Sequence, residues 1–557
     1  MKHNCLIVLL TLTLLTPAAV VAAQETHRHE HQSMEKLGKV NFPISCTPAA
    51  KSQFNRAVAW LHSFEYEEAE KAFTKVTVTD PRCGMGYWGV AMSNYHPLWA
   101  PPTPSELARG IAAVRKAVEV SAGTQRERDY IAAVEAFYKD ADQVDHRTRA
   151  FAYHEAMKRV RQNHPQDREA AVFYALTLVA TGMMSNDKTF TREKEAAQIL
   201  NRVLALEPLH PGVTHYIIHS YDFPALAHLA LPAARSYAKI APASAHAQHM
   251  PSHIFTRLGL WQESIRSNIN ARDSAKEFAR RHKMVGAWDE QLHAMDYLMY
   301  GYLQGAQDRQ ASAVLDELNK IRQIDPPSFK VAYSLSAIPA RYALERRQWQ
   351  EASQLSLQPG GMKDFPWQKF GWAEAHLRFA RAVGFARIGD ADGARKEVEH
   401  LTRIRESLSQ VKGDYDWGKQ VEIKRSVASA WLMFVEGKKD DAVRVMREAA
   451  DLDDATEKHP VTPGSLSPAR EQLGELLLEL KQPTAALAEF ESSLRRAPNR
   501  FNGLLGAARS AKLAGDHTRA KAFYEKLTAL SRHADTARPE IQEAKAFILS
   551  PKQSARR

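Results

Sequence analysis

The chain has 557 residues, of which 44% are hydrophobic and 25% are charged. Its formal net charge is +11 at pH 7, but the basic residues are spread along the sequence near acidic ones rather than gathered in one block. This distribution favours a solvated exterior and argues against a nucleic-acid partner. Beyond the N-terminal segment no stretch approaches about 18 uninterrupted apolar residues, so the sequence predicts no transmembrane segment in the mature chain.

Residues 1–23 have the pattern of a secretory signal peptide. Lys2 precedes an apolar stretch over residues 6–15, and Val21 and Ala23 suit cleavage before Gln24. We therefore expect a periplasmic or secreted protein. A retained N-terminal anchor is the alternative.

Residues 24–45 are predicted to form a disordered, histidine-containing leader. The tract from His27 to His31 carries histidines at alternate positions, a pattern that can collect metal ions. A plain polar segment is the alternative.

Two cysteines follow the signal peptide, Cys46 and Cys83. An oxidising compartment permits them to pair, and the bond would attach the N-terminal segment to the first helical hairpin. Two free, buried thiols are the alternative interpretation.

Helical hairpins follow the leader almost without interruption. After Trp60 come a turn, the small Ala69, the aromatic Phe73 and the closing pair Asp80-Pro81. The small residue allows two helices to pack closely, the aromatic fills the gap to the next hairpin, and proline ends the helix because it cannot donate a backbone hydrogen bond. On these residues the chain resembles the tetratricopeptide repeat (TPR) family, in the form of an exported bacterial protein.

The resemblance recurs over most of the mature chain. In the C-terminal part Ala486 and Ala520 are one repeat apart, since 520 − 486 = 34. It implies an all-α fold, an α-solenoid of TPR-like helical hairpins that forms a right-handed superhelix with a concave groove for a protein or peptide partner. No alternating strand pattern of useful length appears.

Interruptions of the repeat pattern divide the chain into seven predicted segments. They are the signal peptide (1–23), the leader (24–45), N-terminal TPR-like hairpins (46–205), central repeats with a histidine cluster (206–310), degenerate long repeats (311–458), a C-terminal TPR pair (459–535), and a C-terminal helix and tail (536–557).

The central segment contains two copies of His-x-x-x-His. His215 and His219 form the first pair, His249 and His253 form the second, and 249 − 215 = 34. Imidazoles four residues apart share one helix face, with Cβ atoms about 5–6 Å apart, so each pair can chelate one ion. Residues one period apart occupy the same place on neighbouring units, so the two pairs are predicted to converge in the groove.

The position of each residue within its repeat identifies four further candidate ligands. In the TPR family the groove is lined by set places of the first helix of each hairpin, and Asp222, His246, His293 and Asp296 fall at those places. The resemblance therefore implies that they complete or orient the shell around the ion. A set of histidines with a carboxylate suits zinc, iron or copper.

Other residues near the cluster are less specific. Arg257 and Lys188 are candidate contacts for an anion, and Pro251 is predicted to distort its helix because proline interrupts the backbone hydrogen bonds. His62 and His376 lack a partner at chelating distance in the sequence, so we interpret them as structural. A groove that holds an organic carboxylate, a phosphate or a peptide terminus is the alternative to a metal.

Taken together, the sequence favours an exported TPR binding protein whose groove holds a transition metal or a small anionic or peptide ligand. A metal-dependent enzyme that uses the same cluster is one alternative, since an open coordination position can activate water. A plain protein–protein scaffold is another. No Gly-rich phosphate loop, Gly-x-Ser-x-Gly, Cys-x-x-Cys or His-Glu-x-x-His sequence is present, so no catalytic residue is predicted.

Overall fold

A computed structural model describes residues 36–98, 101–120, 123–185, 187–359, 362, 365–408 and 415–550. The predicted signal peptide and residues 24–35 of the predicted leader lie outside the described residues. Among the helices that are described, none has both the length and the apolar character needed to cross a membrane.

Helices in the N-terminal half follow one another closely, and each packs on its neighbours in sequence. They are α1 (Pro48–His62), α2 (Tyr66–Thr79), α3 (Gly84–Ser93), α4 (Pro104–Val120), α5 (Gln125–Tyr138), α6 (His146–Asn163), α7 (Arg168–Met183), α8 (Thr191–Leu204), α9 (Pro211–Tyr221), α10 (Leu231–Ile240), α11 (Ala245–His249), α12 (Pro251–Arg257) and α13 (Trp261–Arg281).

The same arrangement continues in the C-terminal half. Its helices are α14 (Asp289–Gln304), α15 (Asp308–Lys320), α16 (Phe329–Glu345), α17 (Trp349–Ser353), α18 (Gly371–Arg387), α19 (Ala391–Leu408), α20 (Trp417–Val435), α21 (Lys439–Ala455), α22 (Ala469–Glu479), α23 (Pro483–Arg496), α24 (Phe501–Leu513), α25 (His517–Leu530) and α26 (Pro539–Leu549). Short 3-10 turns occur at Ala227–Ala230, Trp367–Phe370 and Ser531–His533, and two short strands, β1 (Ala287–Trp288) and β2 (Ile324–Asp325), pair in parallel.

Small and aromatic residues at repeat positions explain the packing of these hairpins. Ala486 and Ala520 are fully buried at helix contacts. The Phe490 ring lies against Gly506, where a Cβ atom would come within 2.2 Å of it. A small residue is therefore required where the aromatic side chain enters the next unit. The predicted all-α solenoid fold is confirmed.

The first helix of the central hairpin is broken, as its proline predicts. Helix α11 ends at His249, Met250 intervenes, and α12 begins at Pro251. The break follows because proline has no N–H to continue the hydrogen-bond ladder.

Residues 36–45 differ from the predicted disordered leader. Leu37, Phe42 and Ile44 are buried, and Lys39 N donates a hydrogen bond to Leu209 O at 2.9 Å. The burial of these apolar side chains stabilises the segment against the rest of the chain. Cys46, which follows, forms a disulfide with Cys83 (Cα–Cα 5.2 Å).

Candidate metal centre

Six buried histidines from the central helices form two groups of three. Triad one consists of His215, His219 and His246, and triad two consists of His249, His253 and His293. Within each triad, one possible ligand atom from every residue lies within 4.8 Å of the other two. The structure therefore brings together all six histidines that the sequence singled out in this region.

Each triad combines an i, i+4 pair with one histidine from the following unit. Helix α9 supplies His215 and His219, and α11 adds His246. The second pair is divided between α11 and α12 at the Met250 break, and α14 adds its third member, His293. The two pairs thus belong to separate triads, and the following unit supplies the third histidine of each triad.

Triad one is organised around His215. Its Nε2 lies 3.1 Å from His219 Nε2 and 3.2 Å from His246 Nε2. Its Nδ1 lies 2.7 Å from the carbonyl oxygen of His62, which can only accept, so Nδ1 carries the proton and Nε2 carries a lone pair. Burial lowers the pKa of His215 to about 3, and the ring is therefore neutral at pH 7.

In triad two, the hydrogen-bond partners of two rings determine which ring nitrogens carry protons. His249 Nε2 and His253 Nε2 are 3.1 Å apart. His253 Nδ1 donates to Asp222 Oδ2 at 3.0 Å, and His249 Nδ1 donates to Asn268 Oδ1 at 2.7 Å. The Asn268 amide nitrogen donates to Ser264 O at 2.8 Å, which identifies the oxygen as the atom that faces His249.

Burial keeps the rings of triad two neutral. Burial opposes ionisation of Asp222, but Lys458 at 3.3 Å and Arg257 at 2.9 Å hold the pKa of its carboxyl well below the ordinary value. Burial lowers the pKa of both His249 and His253. With a charged acceptor at one Nδ1 and an amide oxygen at the other, both Nε2 atoms carry lone pairs.

The triads are enclosed on two sides. None of the six rings is more than 7% exposed. On one side, Phe64 packs on His215 with ring centroids 4.4 Å apart, and Glu65 Oε1 accepts from Ser244 Oγ at 2.7 Å. On the other side, the linker between α21 and α22 covers triad two through the contact of Lys458 with Asp222.

Three other predicted residues lie elsewhere. Both carboxylate oxygens of Asp296 are buried without a hydrogen bond, its ionic partner is Arg341 at 3.9 Å, and burial raises its pKa to about 6. Arg257 is paired with Asp222, and Lys188 donates to the carbonyl oxygen of Ala455 at 3.4 Å. Asp222 accepts a hydrogen bond from Nδ1 of His253, and Asp296 lies outside both triads.

A further cluster, the closed cluster, joins His62, Glu169 and His210. The two Nε2 atoms donate to the two oxygens of Glu169, at 3.0 Å from His62 and 2.9 Å from His210. His62 Nδ1 accepts from the Tyr216 hydroxyl at 2.9 Å, and His210 Nδ1 accepts from Val213 N at 3.3 Å. The spacing fits a metal ion, but every ring nitrogen already has a partner of the opposite kind.

Sequence reasoning missed several residues that shape the centre. Tyr297 lies four residues after His293 on α14, so the i, i+4 rule that found the histidine pairs could have found it as well. Asn268 lies on α13 and has no motif of its own. Lys458 lies 236 residues from Asp222, and no local pattern connects them.

Comparisons with known proteins do not assign a family. No protein-family model and no curated protein matches the chain. Solved structures that match include Naa15/Naa10 bound to HypK-THB (10% identity, 96% of this chain and 93% of that chain, TM-score 0.26), a human IFIT1 dimer with m7Gppp-AAAA (11%, 92% and 95%, 0.35) and yeast Tom70 (10%, 90% and 95%, 0.31). TM-scores this low carry no argument about function.

Proposed function

We propose that this chain is an exported binding protein whose two triads hold transition-metal ions. The contact between His249 and His253 carries the proposal. Both Nδ1 atoms are donors, so two lone pairs face each other across 3.1 Å. Between neutral rings this contact is repulsive, whereas a cation bound to both nitrogens makes it favourable.

The spacing of the nitrogens supports a shared ion. Two imidazole nitrogens that each lie about 2.0–2.1 Å from a tetrahedral ion are about 3.3 Å apart. The Nε2 separations in the triads are 3.1, 3.1 and 3.2 Å. Zinc, copper and iron all accept imidazole ligands.

The partners of the Nδ1 atoms also fit metal ligands. Histidine ligands characteristically donate their second N–H to a carboxylate or a backbone carbonyl, which fixes the ring and raises its basicity. Asp222 has this role for His253, and the His62 carbonyl has it for His215. Asp222 is accordingly an orienting residue rather than a ligand.

Burial favours binding over catalysis. A catalytic metal keeps a coordination position open to water or substrate, and the six rings are at most 7% exposed. The Cys46–Cys83 disulfide supports export, because such bonds persist in oxidising compartments.

Metal analysis of the metal-depleted and reloaded mature chain tests the proposal. With Zn(II), we expect two ions per chain in the wild type, one for each triad, and one ion in His253→Ala. His376→Ala is the matched control, since His376 is equally buried but bonds to Ser336 outside the triads. Circular dichroism checks that each variant is folded.

A wild-type protein that retains no zinc would contradict the proposal, and so would a loss in His376→Ala equal to that in His253→Ala. Either result would leave a plain interaction scaffold as the better description of the chain.

A further inference from the structure

Tyr297 contacts every ring of triad two. Its ring centroid lies 4.6 Å from that of His249, 5.3 Å from that of His253 and 5.4 Å from that of His293. Its hydroxyl oxygen lies 3.3 Å from His253 Nε2. That distance is close to the 3.1 Å that separates His249 Nε2 from His253 Nε2, so the hydroxyl lies as near to His253 Nε2 as a ligand of the same ion would.

In triad one the ring that contacts all three histidines is a phenylalanine. The Phe64 ring lies 4.4 Å from His215, 5.6 Å from His219 and 5.9 Å from His246. Phenylalanine offers no donor atom to an ion. Each triad therefore has three imidazoles in contact with one aromatic ring, and the two aromatic rings differ by one oxygen atom.

The hydrogen bonding of Tyr297 leaves its oxygen in need of a partner. The hydroxyl lies 3.2 Å from Val461 O and 3.3 Å from His253 Nε2, and both of those atoms are acceptors. One hydroxyl proton serves only one of them. When it is donated to Val461, an oxygen lone pair faces the nitrogen lone pair of His253, as in the contact between the two imidazoles.

We infer that the Tyr297 oxygen is the fourth ligand of triad two, which makes this triad a three-histidine, one-tyrosine site, while triad one has nitrogen ligands alone. This inference rests on the proposed function. On coordination the tyrosine O–H bond breaks, an oxygen–metal bond forms, and the proton passes to the solvent buffer; no electron is transferred. The phenolate supplies a negative charge that the imidazoles lack.

Burial raises the pKa of the Tyr297 hydroxyl well above its ordinary value, and Asp222 and Asp296 raise it further, so the charge that favours its ionisation is that of a bound ion. Lys330 and Lys458 both act as positive charges on the rings of triad two. Asp222 is already shared by Lys458 and Arg257. Since an uncompensated buried charge is costly, an ion in triad two gains from an anionic ligand bound directly to it.

Copper loading of the full mature chain tests the inference, because Cu(II) bound to a phenolate has a charge-transfer absorption in the visible region that Cu(II) bound only to imidazoles lacks. We expect this band in the wild type and its loss in Tyr297→Phe, with the copper of triad one retained. Tyr237→Phe is the matched control: Tyr237 stacks on His215 of triad one with centroids 5.0 Å apart, and its removal should leave the band unchanged.

Copper content is measured on the same samples, so the two proposals fail separately. Bound copper without the band, or a band that survives Tyr297→Phe, would overturn the tyrosine ligand and leave the metal-binding proposal in place. A wild type that binds no copper and no zinc would overturn both. Resonance Raman spectra of the wild type detect phenolate vibrations directly and decide the question even if the variant does not fold.

Discussion

Triad two and the closed cluster are both built from buried histidines with a carboxylate beside them, yet they distribute protons in opposite ways. In the closed cluster, Glu169 accepts a hydrogen bond from each of two rings, and the Nδ1 atoms of both rings accept hydrogen bonds from other donors. In triad two, both Nδ1 atoms donate outward, and the Nε2 lone pairs of His249 and His253 face one another.

The difference shows that burial and spacing alone do not identify a metal site. Both groups bring three candidate ligand atoms within 4.8 Å of one another. Only the count of donors and acceptors separates them: each ring nitrogen of the closed cluster has a partner of the opposite kind, whereas the Nε2 lone pairs of His249 and His253 face one another in triad two.

The largest effect on stability is expected from Glu169→Gln. An amide keeps one acceptor oxygen but turns a second donor toward a ring that is itself a donor, so one buried hydrogen bond becomes a clash. We expect the free energy of unfolding, measured by urea denaturation, to fall by about 3 kcal/mol. Added zinc should not restore it, because the remaining rings offer no pair of converging lone pairs.

Glu119→Gln is the control for that measurement, since Glu119 is exposed and forms a surface ion pair with Lys116. Its effect should stay within about 0.5 kcal/mol. Equal losses in Glu119→Gln and Glu169→Gln would mean that the closed cluster has no structural role.

A smaller effect, specific to metal binding, is expected from Asp222→Asn. His253 loses a charged acceptor, and Lys458 and Arg257 lose their shared anion. We expect the affinity of triad two for Zn(II), measured by competition with a chelator, to fall by about 10–100-fold, the usual cost of losing an orienting partner. Triad one should be unchanged.

Asp296→Asn provides the matched control for Asp222→Asn. Asp296 is also a buried aspartate at a groove-lining place in the sequence, but its side chain lies beside Arg341. Zinc affinity should not change in this variant. A fall as large as that in Asp222→Asn would show that the carboxylate chosen from the structure is the wrong one.

The sequence predicted the fold and the histidines for the same reason. Repeat period and helix register are local properties, so the 34-residue interval between His215 and His249 predicted that both occupy the same place on neighbouring units. The helix break at Pro251 could also be predicted from the sequence, because it depends on one residue.

What the sequence could not supply are the contacts that close the site. The His62 carbonyl lies 153 residues from His215, and Glu169 lies 107 residues from His62. These contacts depend on how distant hairpins come together in the superhelix, which no periodicity encodes. For this reason no pattern in the sequence indicates that Phe64 and the linker at Lys458 cover the rings.

The most gradual effect is expected from mild acid. Burial lowers the pKa of His215 to about 3, below its ordinary value of 6.5, so between these values the unfolded chain binds a proton that the folded chain does not. The free energy of unfolding therefore falls as the pH falls below 6.5, by at most about 1.4 kcal/mol per pH unit for each such histidine. Bound zinc should raise the free energy of unfolding by a similar amount across this range, because it binds the folded chain, whose His215 ring stays unprotonated down to about pH 3. The closed cluster contributes equally with and without zinc, so subtracting the two urea-denaturation curves isolates the triads. In the double variant His215→Ala/His253→Ala, the curves with and without zinc should coincide. Coincident curves in the wild type would show that the triads hold no ion.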